Sequence, residues 1–255
     1  MKKRLDQIVV DLGLAPSKTK AQELIETNCV EVFTAEKWSV KTKSGGTFDD
    51  EIQVRLVDKT LLKFVSRAGL KLEAALREFQ LDVHAAQALD IGISTGGFTD
   101  ALLQNGARHV TGVDVAADGL DEKLLKDARV EYLPNVNARE LKTVPQLQSR
   151  KFDIVVIDVS FISVAKILPQ TYDFMKPDAK VLALIKPQFE VGRDQLNKNG
   201  IVKSSVAVES AIQNIEEMAR DAGFKIERVW PSALKGRDGN QEYFLYAKIH
   251  SAKKY

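Results

Sequence analysis

The stretch Ala88-Leu89-Asp90-Ile91-Gly92-Ile93-Ser94-Thr95-Gly96-Gly97-Phe98-Thr99-Asp100 constrains this chain more than any other. An apolar run ends in an acid, passes through a turn of small residues and enters a helix-like pattern. Glycine has no Cβ, so a buried strand that turns this way lets a ligand approach the backbone closely. The rest of the second half keeps the same rhythm. Strands are expected at 88–91, 110–115, 130–133, 154–159, 181–185, 226–230 and 243–249, and helices at 98–105 and 206–222, ended by Gly106 and Gly223. Strand alternating with helix predicts an α/β fold with a mostly parallel sheet covered on both faces. The last two strands have no helix between them and can pair antiparallel.

A second acid, Asp114, ends the next strand 24 residues after Asp90. A carboxylate there can accept hydrogen bonds from both ribose hydroxyls of an adenosine-containing cofactor. The dinucleotide fingerprint G-x-G-x-x-G is absent, since the order is Gly92, Ser94, Gly96, Gly97. Asp90 would also repel a pyrophosphate. S-adenosylmethionine has no phosphate and is positively charged, so the pattern favours it over NAD. Gly92-Ile93-Ser94-Thr95-Gly96 also fits the G-x-S-x-G elbow of serine hydrolases, with Asp158 and His250 as partners. Against that reading, the elbow would lie on the first strand of its domain, and His250 follows the last strand without an intervening loop.

The first sixty residues read differently. Leu5, Ile8, Val9 and Leu12 recur at helical spacing before Gly13, and Ser17 can cap a second helix carrying Ala21, Leu24 and Ile25. Short alternating segments follow, at Val30 and Val32 and at Ile52, Val54 and Leu56. Lys18 and Lys20 stand in the first turn of the second helix, where cationic side chains and free backbone amides suit phosphate. Any basic patch there is local, because residues 1–43 hold eight basic against six acidic residues.

Whole-chain arithmetic removes several classes. In 255 residues, 37 Lys plus Arg against 35 Asp plus Glu leave a net charge of +2, too little for a global cationic field. A single cysteine, Cys29, excludes an internal disulfide, and His84, His109 and His250 lie too far apart in sequence to suggest a metal site. The basic N-terminus meets Asp6 at once and has no apolar core, so no signal peptide is expected. Apolar runs such as 181–185 fall well short of the roughly 20 residues that span a bilayer. The expectation is a cytoplasmic protein without membrane or metal.

Three further polar residues stand at strand ends, and a fourth lies on a helix. Asp158 and Lys186 close apolar strands, Glu242 opens the last one, and Lys71 lies beside the apolar stripe Ala68, Leu72, Ala75, Leu76 and Phe79. Carboxyl ends of parallel strands converge on the ligand crevice, so Asp158 and Lys186 are expected beside Gly92 and Asp114.

At this point the chain resembles a known family. Ser66-Arg67-Ala68-Gly69-Leu70-Lys71-Leu72, the run 94–100, Asn137-Ala138-Arg139 and Lys186-Pro187-Gln188-Phe189-Glu190 are similar to the TlyA, or hemolysin A, group of FtsJ-type RNA methyltransferases. Arg4-Leu5-Asp6, Gly13-Leu14, Ser17-Lys18 and residues 21–25 resemble the S-four-type RNA-binding domain. The resemblance implies an α+β RNA-binding domain over 1–60 and a Rossmann-like, seven-stranded methyltransferase domain over 61–255, with a linking helix at 61–80. It implies methylation of ribose 2′-hydroxyls in ribosomal RNA or ribosomal subunits, with S-adenosylmethionine as donor and the catalytic tetrad Lys71, Asp158, Lys186 and Glu242. Cofactor contacts are expected from Asp90, Gly92, Ser94, Gly96, Gly97, Phe98, Asp114, Asn137 and Asp158. RNA contacts are expected from Arg4, Ser17, Lys18, Lys20 and Arg67. Lys186 can serve as a neutral base or as an ammonium that stabilises the alkoxide. A non-catalytic ribosome-assembly protein and a lysin are the rival functions, and the oligomeric state stays open, a monomer among the options.

Overall fold

The computed structural model describes residues 1–236 and 238–249, and the chain divides into two compact units, Met1–Ser66 and Arg67–Tyr255. The first unit runs β1 (Lys2–Arg4), α1 (Leu5–Asp11), α2 (Lys18–Glu26), β2 (Val30–Thr34), β3 (Lys37–Val40), β4 (Thr47–Asp49) and β5 (Val54–Leu56). β1 pairs with β4, and β2 lies between β3 and β5, all antiparallel. Ser17 caps α2 through its Oγ, which accepts from the Lys20 N–H at 3.2 Å. The helical stripes read from the sequence supply the core: Leu5, Ile8, Val9, Ala21, Leu24 and Ile25 are buried with Val30 and Val32 of β2.

The β2–β3 hairpin carries a local conflict. Thr34 pairs with Lys37, so the turn has two residues, and both Ala35 and Glu36 are left-handed, at φ 49° and 62°. This turn suits Asn-Gly, whereas a side chain with an ordinary Cβ gives up about 1–2 kcal/mol in that region. Ala35→Asn combined with Glu36→Gly should therefore stabilise the first unit by about 1 kcal/mol or more. Urea denaturation checks this, and an unchanged or lowered midpoint would contradict it.

The second unit runs α3 (Ala68–Glu78), β6 (Gln87–Ile91), α4 (Gly97–Gln104), β7 (His109–Val113), α5 (Glu122–Leu125), β8 (Val130–Leu133), β9 (Phe152–Ile157), α6 (Leu168–Thr171), β10 (Met175–Ile185), α7 (Ser205–Asp221), β11 (Phe224–Pro231) and β12 (Tyr243–Ile249). Its sheet has seven strands in the order β11-β12-β10-β9-β6-β7-β8. Pairs from β8 to β10 are parallel, while β12 runs antiparallel to both β10 and β11. β10 starts six residues before the expected 181, because Met175 already pairs with Phe152 before a register shift that spans the polar 176–179 segment. β7 and β9 stop at Val113 and Ile157, so Asp114 and Asp158 stand just beyond the strand ends.

Alternation along the strands separates two faces. Leu89, Ile91, Val155, Ile157, Ala183, Ile185 and Leu245 join Ile167, Leu168 and Ile215 in the main core. On the other face Phe98 of α4 stacks on Phe244 of β12, with centroids 5.9 Å apart. The chain order reverses between β6 and β9, which opens a crevice at their carboxyl ends. Among the described residues no helix is long and apolar enough to cross a membrane, and no cluster of three or more His, Cys, Asp or Glu could hold a metal ion.

Candidate active site

Strand register gathers three of the four residues that the sequence singles out, and α3 supplies the fourth. Ala183 pairs with Ile157 and Ile185 with Tyr243, so Asp158, Lys186 and Glu242 leave adjacent strands at one rim of the sheet. Their parity places them on the face of Phe244, the same face that packs on α4. From α3, Lys71 Nζ reaches Glu242 Oε2 at 2.5 Å, and both side chains are buried. Lys186 Nζ lies 2.6 Å from Asp158 Oδ1 and donates to Ser160 Oγ at 2.9 Å. The approach to Asp158 is off the hydrogen-bonding direction, which leaves the buried Oδ1 in an ion pair without an aligned hydrogen bond. The result is two lysine–carboxylate pairs on neighbouring strands.

The loop ahead of Glu242 is held at several points. A Cβ on Gly236 would sit 2.7 Å from Glu242 Oε1, so a side chain there would have to displace the carboxylate end of Glu242. Buried Asn240 accepts from the Val202 N–H and donates to the Gly200 carbonyl, each at 3.0 Å. Arg67, expected to contact RNA, donates from Nη2 to the Lys235 carbonyl at 2.9 Å and so helps to hold this loop.

Beside Asp158 opens a cavity of about 380 Å³, within the range of small-ligand sites. Of the nine expected cofactor contacts, Gly92, Ser94, Asp114, Asn137 and Asp158 line it, together with Val115, Val136, Arg139 and the run Val159, Ser160, Phe161, Ile162. Asp114 is fixed from two sides: Oδ2 accepts from the Ser94 N–H at 2.8 Å and Oδ1 from the Ala116 N–H at 2.9 Å. A carboxylate has about four acceptor positions, so each oxygen retains one for a ribose hydroxyl. At Gly92, φ is 85° and a Cβ would collide with the Asp158 carbonyl oxygen. Apolar walls from Val115, Val136 and Ile162, a diol acceptor and a glycine floor fit the nucleoside of S-adenosylmethionine. Asp114→Ala should weaken that cofactor by about 10- to 100-fold, the loss of hydrogen bonds to one charged acceptor. Calorimetry measures it, and unchanged affinity would remove Asp114 from the site.

Four expected cofactor contacts stand behind this cavity, where they build the turn. Asp90 is buried, with Oδ2 accepting from Thr99 Oγ1 at 2.6 Å and Oδ1 without a partner. Burial, aided by the nearby Asp158 charge against the opposing Thr99 hydrogen bond, pushes its carboxyl up to about 7. Gly96, at φ 90°, leaves the space of its missing Cβ to Leu124; Gly97 opens α4; and Phe98 packs on Phe244. The lining residues missed by the sequence reading follow β7, β8 and β9 directly, so the rule of carboxyl strand ends could have found them.

In the first unit, Lys18 is exposed, and Arg4 is exposed yet grips the buried Asp6 through Nε at 3.0 Å and Nη2 at 2.7 Å. That contact holds the Asp6 carboxyl down at about 2. Ser17 spends its Oγ on the cap of α2. Lys20 corrects the expectation of a solvent-facing phosphate ligand. It falls on the apolar side of α2, one position before Ala21 and four before Leu24, and is buried with its ammonium bound to Glu23 Oε2 at 2.8 Å and the Phe64 carbonyl at 3.2 Å. The hydrolase alternative finds Asp158 committed to Lys186, and His250 lies outside the described residues.

Comparison with known proteins gives the family of the chain. The FtsJ-like methyltransferase family pattern matches residues 64–249. The chain is 37% identical over 243 residues to Hemolysin A of Brachyspira hyodysenteriae, covering 95% of this chain and 98% of that protein. It is 36% identical over 248 residues to the 16S/23S rRNA (cytidine-2'-O)-methyltransferase TlyA of Mycobacterium tuberculosis, covering 97% of this chain and 90% of that protein. A solved structure from Streptococcus thermophilus, described as a hemolysin candidate, matches with a TM-score of 0.76 at 36% identity, covering 98% of this chain and 90% of that one.

Proposed function

Since the chain belongs to the FtsJ-like methyltransferase family, we propose that it transfers a methyl group from S-adenosylmethionine to a ribose 2′-hydroxyl of ribosomal RNA. The observation that carries this reading is the double lysine–carboxylate arrangement, Lys186 with Asp158 and Lys71 with Glu242, on the rim that holds the nucleoside-sized cavity. The relative from Mycobacterium tuberculosis is named for this reaction on cytidine, which supports the substrate class.

S-adenosylmethionine, when bound, supplies an electrophilic methyl group. The protein's own task is to place the hydroxyl in line and to manage the charge that grows on its oxygen. Lys186 is the residue we assign to that oxygen. The hydroxyl proton passes to solvent. Lys186, held in an ion pair with Asp158, stabilises the oxyanion left behind through one of its three N–H donors, and that oxygen takes the methyl group as S-adenosylhomocysteine leaves. Ser160, which accepts from Lys186, and Asp158 fix its position before substrate arrives. Lys71 and Glu242 form the adjacent pair, buried and clamped, and are assigned to hold the ribose and the Lys186 environment. Asp114 and Asn137 are assigned to the cofactor.

The Met1–Ser66 unit is assigned as the RNA-binding module, with exposed Lys18 at the start of α2 and Arg4 as its remaining phosphate ligands. With ribosomal RNA or subunits as substrate, the enzyme is assigned to the cytoplasm. Incubation of the purified chain with labelled S-adenosylmethionine and unmethylated ribosomal RNA, followed by nuclease digestion, tests the reading. Label in 2′-O-methylnucleosides is expected; label confined to bases, or none, would refute it.

A further inference from the structure

The opposite rim of the same sheet carries a second hollow, of about 420 Å³, that the methyl-transfer site leaves unused. It is built where the parallel strands begin: Gln87 opens β6, Arg108 precedes β7 and His109 opens it, Arg129 precedes β8, and Arg150 and Lys151 lead into β9. Four permanent cations and a histidine thus surround one hollow, and no carboxylate lines it. In a chain with a net charge of only +2, this is a marked local excess.

Carboxylates outside the lining organise part of this charge. Asp127 takes Arg129 Nε and Nη2 at 3.0 and 2.6 Å, and Glu131 takes Arg150 Nη1 at 2.5 Å. These contacts fix both guanidinium groups while leaving each with further N–H donors. The Arg150 guanidinium also lies 5.8 Å from the Phe152 ring centroid. Lys151 donates only to the Asp173 carbonyl, and exposed Arg108 has no carboxylate partner among the described residues. Fixed guanidinium forks with two uncompensated cations beside them match the oxygens of a phosphodiester. The apolar lining is limited to Ala128 and Phe152, and the Phe152 ring is buried in the core. A nucleobase would therefore find no slot, so the hollow suits backbone phosphate rather than a free nucleotide.

We propose that this hollow binds the phosphate backbone of the RNA substrate at a point remote from the reacting ribose. The two rims are separated by strands of four to six residues, about 15–20 Å. A folded RNA that contacts both rims would be held in a fixed orientation, while a short oligonucleotide would engage one rim at a time. The inference rests on the RNA methyltransferase reading.

Charge reversal of the two uncompensated residues, Arg108→Glu with Lys151→Glu, tests it in the full chain, with S-adenosylmethionine affinity and the unfolding midpoint as checks on folding. Binding to ribosomal RNA is measured against salt concentration. The variant should bind roughly tenfold or more weakly at low salt, and the slope of log affinity on log salt should shrink by about two. Unchanged affinity and slope would overturn the proposal while leaving the methyltransferase reading intact. Unchanged RNA affinity, with inorganic phosphate shifting the His109 resonances of the unaltered chain alone, would make the hollow a free-anion site and would also overturn it. Failure of the unaltered chain to bind RNA at all would defeat both readings.

Discussion

Lys186→Ala is expected to lower turnover by about 10²–10⁴-fold while S-adenosylmethionine affinity stays close to that of the unaltered enzyme. Lys186 meets Asp158 and Ser160 and does not line the cavity wall, so truncating it leaves the nucleoside contacts in place. Lys186→Arg should fail by a similar factor, because a planar fork cannot reproduce the compact point charge between Asp158 and the hydroxyl. Single-turnover kinetics with calorimetry separates the two effects. Retained turnover in both variants would remove Lys186 from the chemistry and shift the role to Lys71.

The second large effect concerns stability. Lys71 and Glu242 are buried together, with side chains 7% and 4% exposed, so removing either strands a charge away from water. Lys71→Met or Glu242→Leu alone should cost about 3–5 kcal/mol. The double variant should recover most of that loss, since an apolar pair of similar volume needs no desolvation, yet it should remain inactive. Denaturation midpoints and turnover, measured on all three, test this. A double variant as unstable as the singles, or one that still methylates, would contradict the roles given to the pair.

Most of the seven strands were legible as short apolar segments ended by a turn residue, and Asp158, Lys186 and Glu242 as polar residues beside them, whereas Lys71 lies inside α3 and the grouping of all four rests on the family resemblance. Asp158 and Lys186 become neighbours at the carboxyl ends of parallel strands, as the parallel-sheet rule predicts from sequence, whereas Glu242 joins them from the start of the antiparallel β12, which that rule does not cover. Two kinds of detail were not legible. Lys20 looks like a solvent-facing cation until tertiary packing gives it the Glu23 carboxylate and the Phe64 carbonyl. Asp90, Gly96, Gly97 and Phe98 belong to the motif that announces a cofactor, yet they shape the turn from behind while Val115, Val136 and Ile162 make the walls. Motif membership marks the neighbourhood of a site; which side chain faces the ligand depends on helix rotation and on the length of the loop after each strand. The polar segment at 176–179 similarly hid the first part of β10, whose pairing resumes only after a register shift.

This rim is assigned the methylation of a ribose hydroxyl. Mass-spectrometric mapping of 2′-O-methylation in ribosomal RNA, from cells that lack the protein and from the same cells supplied with either the unaltered chain or Lys186→Ala, tests it most directly. At least one ribose methyl group is expected to be absent without the protein, restored by the unaltered chain and not restored by Lys186→Ala. A ribose methylation map identical in all three would contradict it.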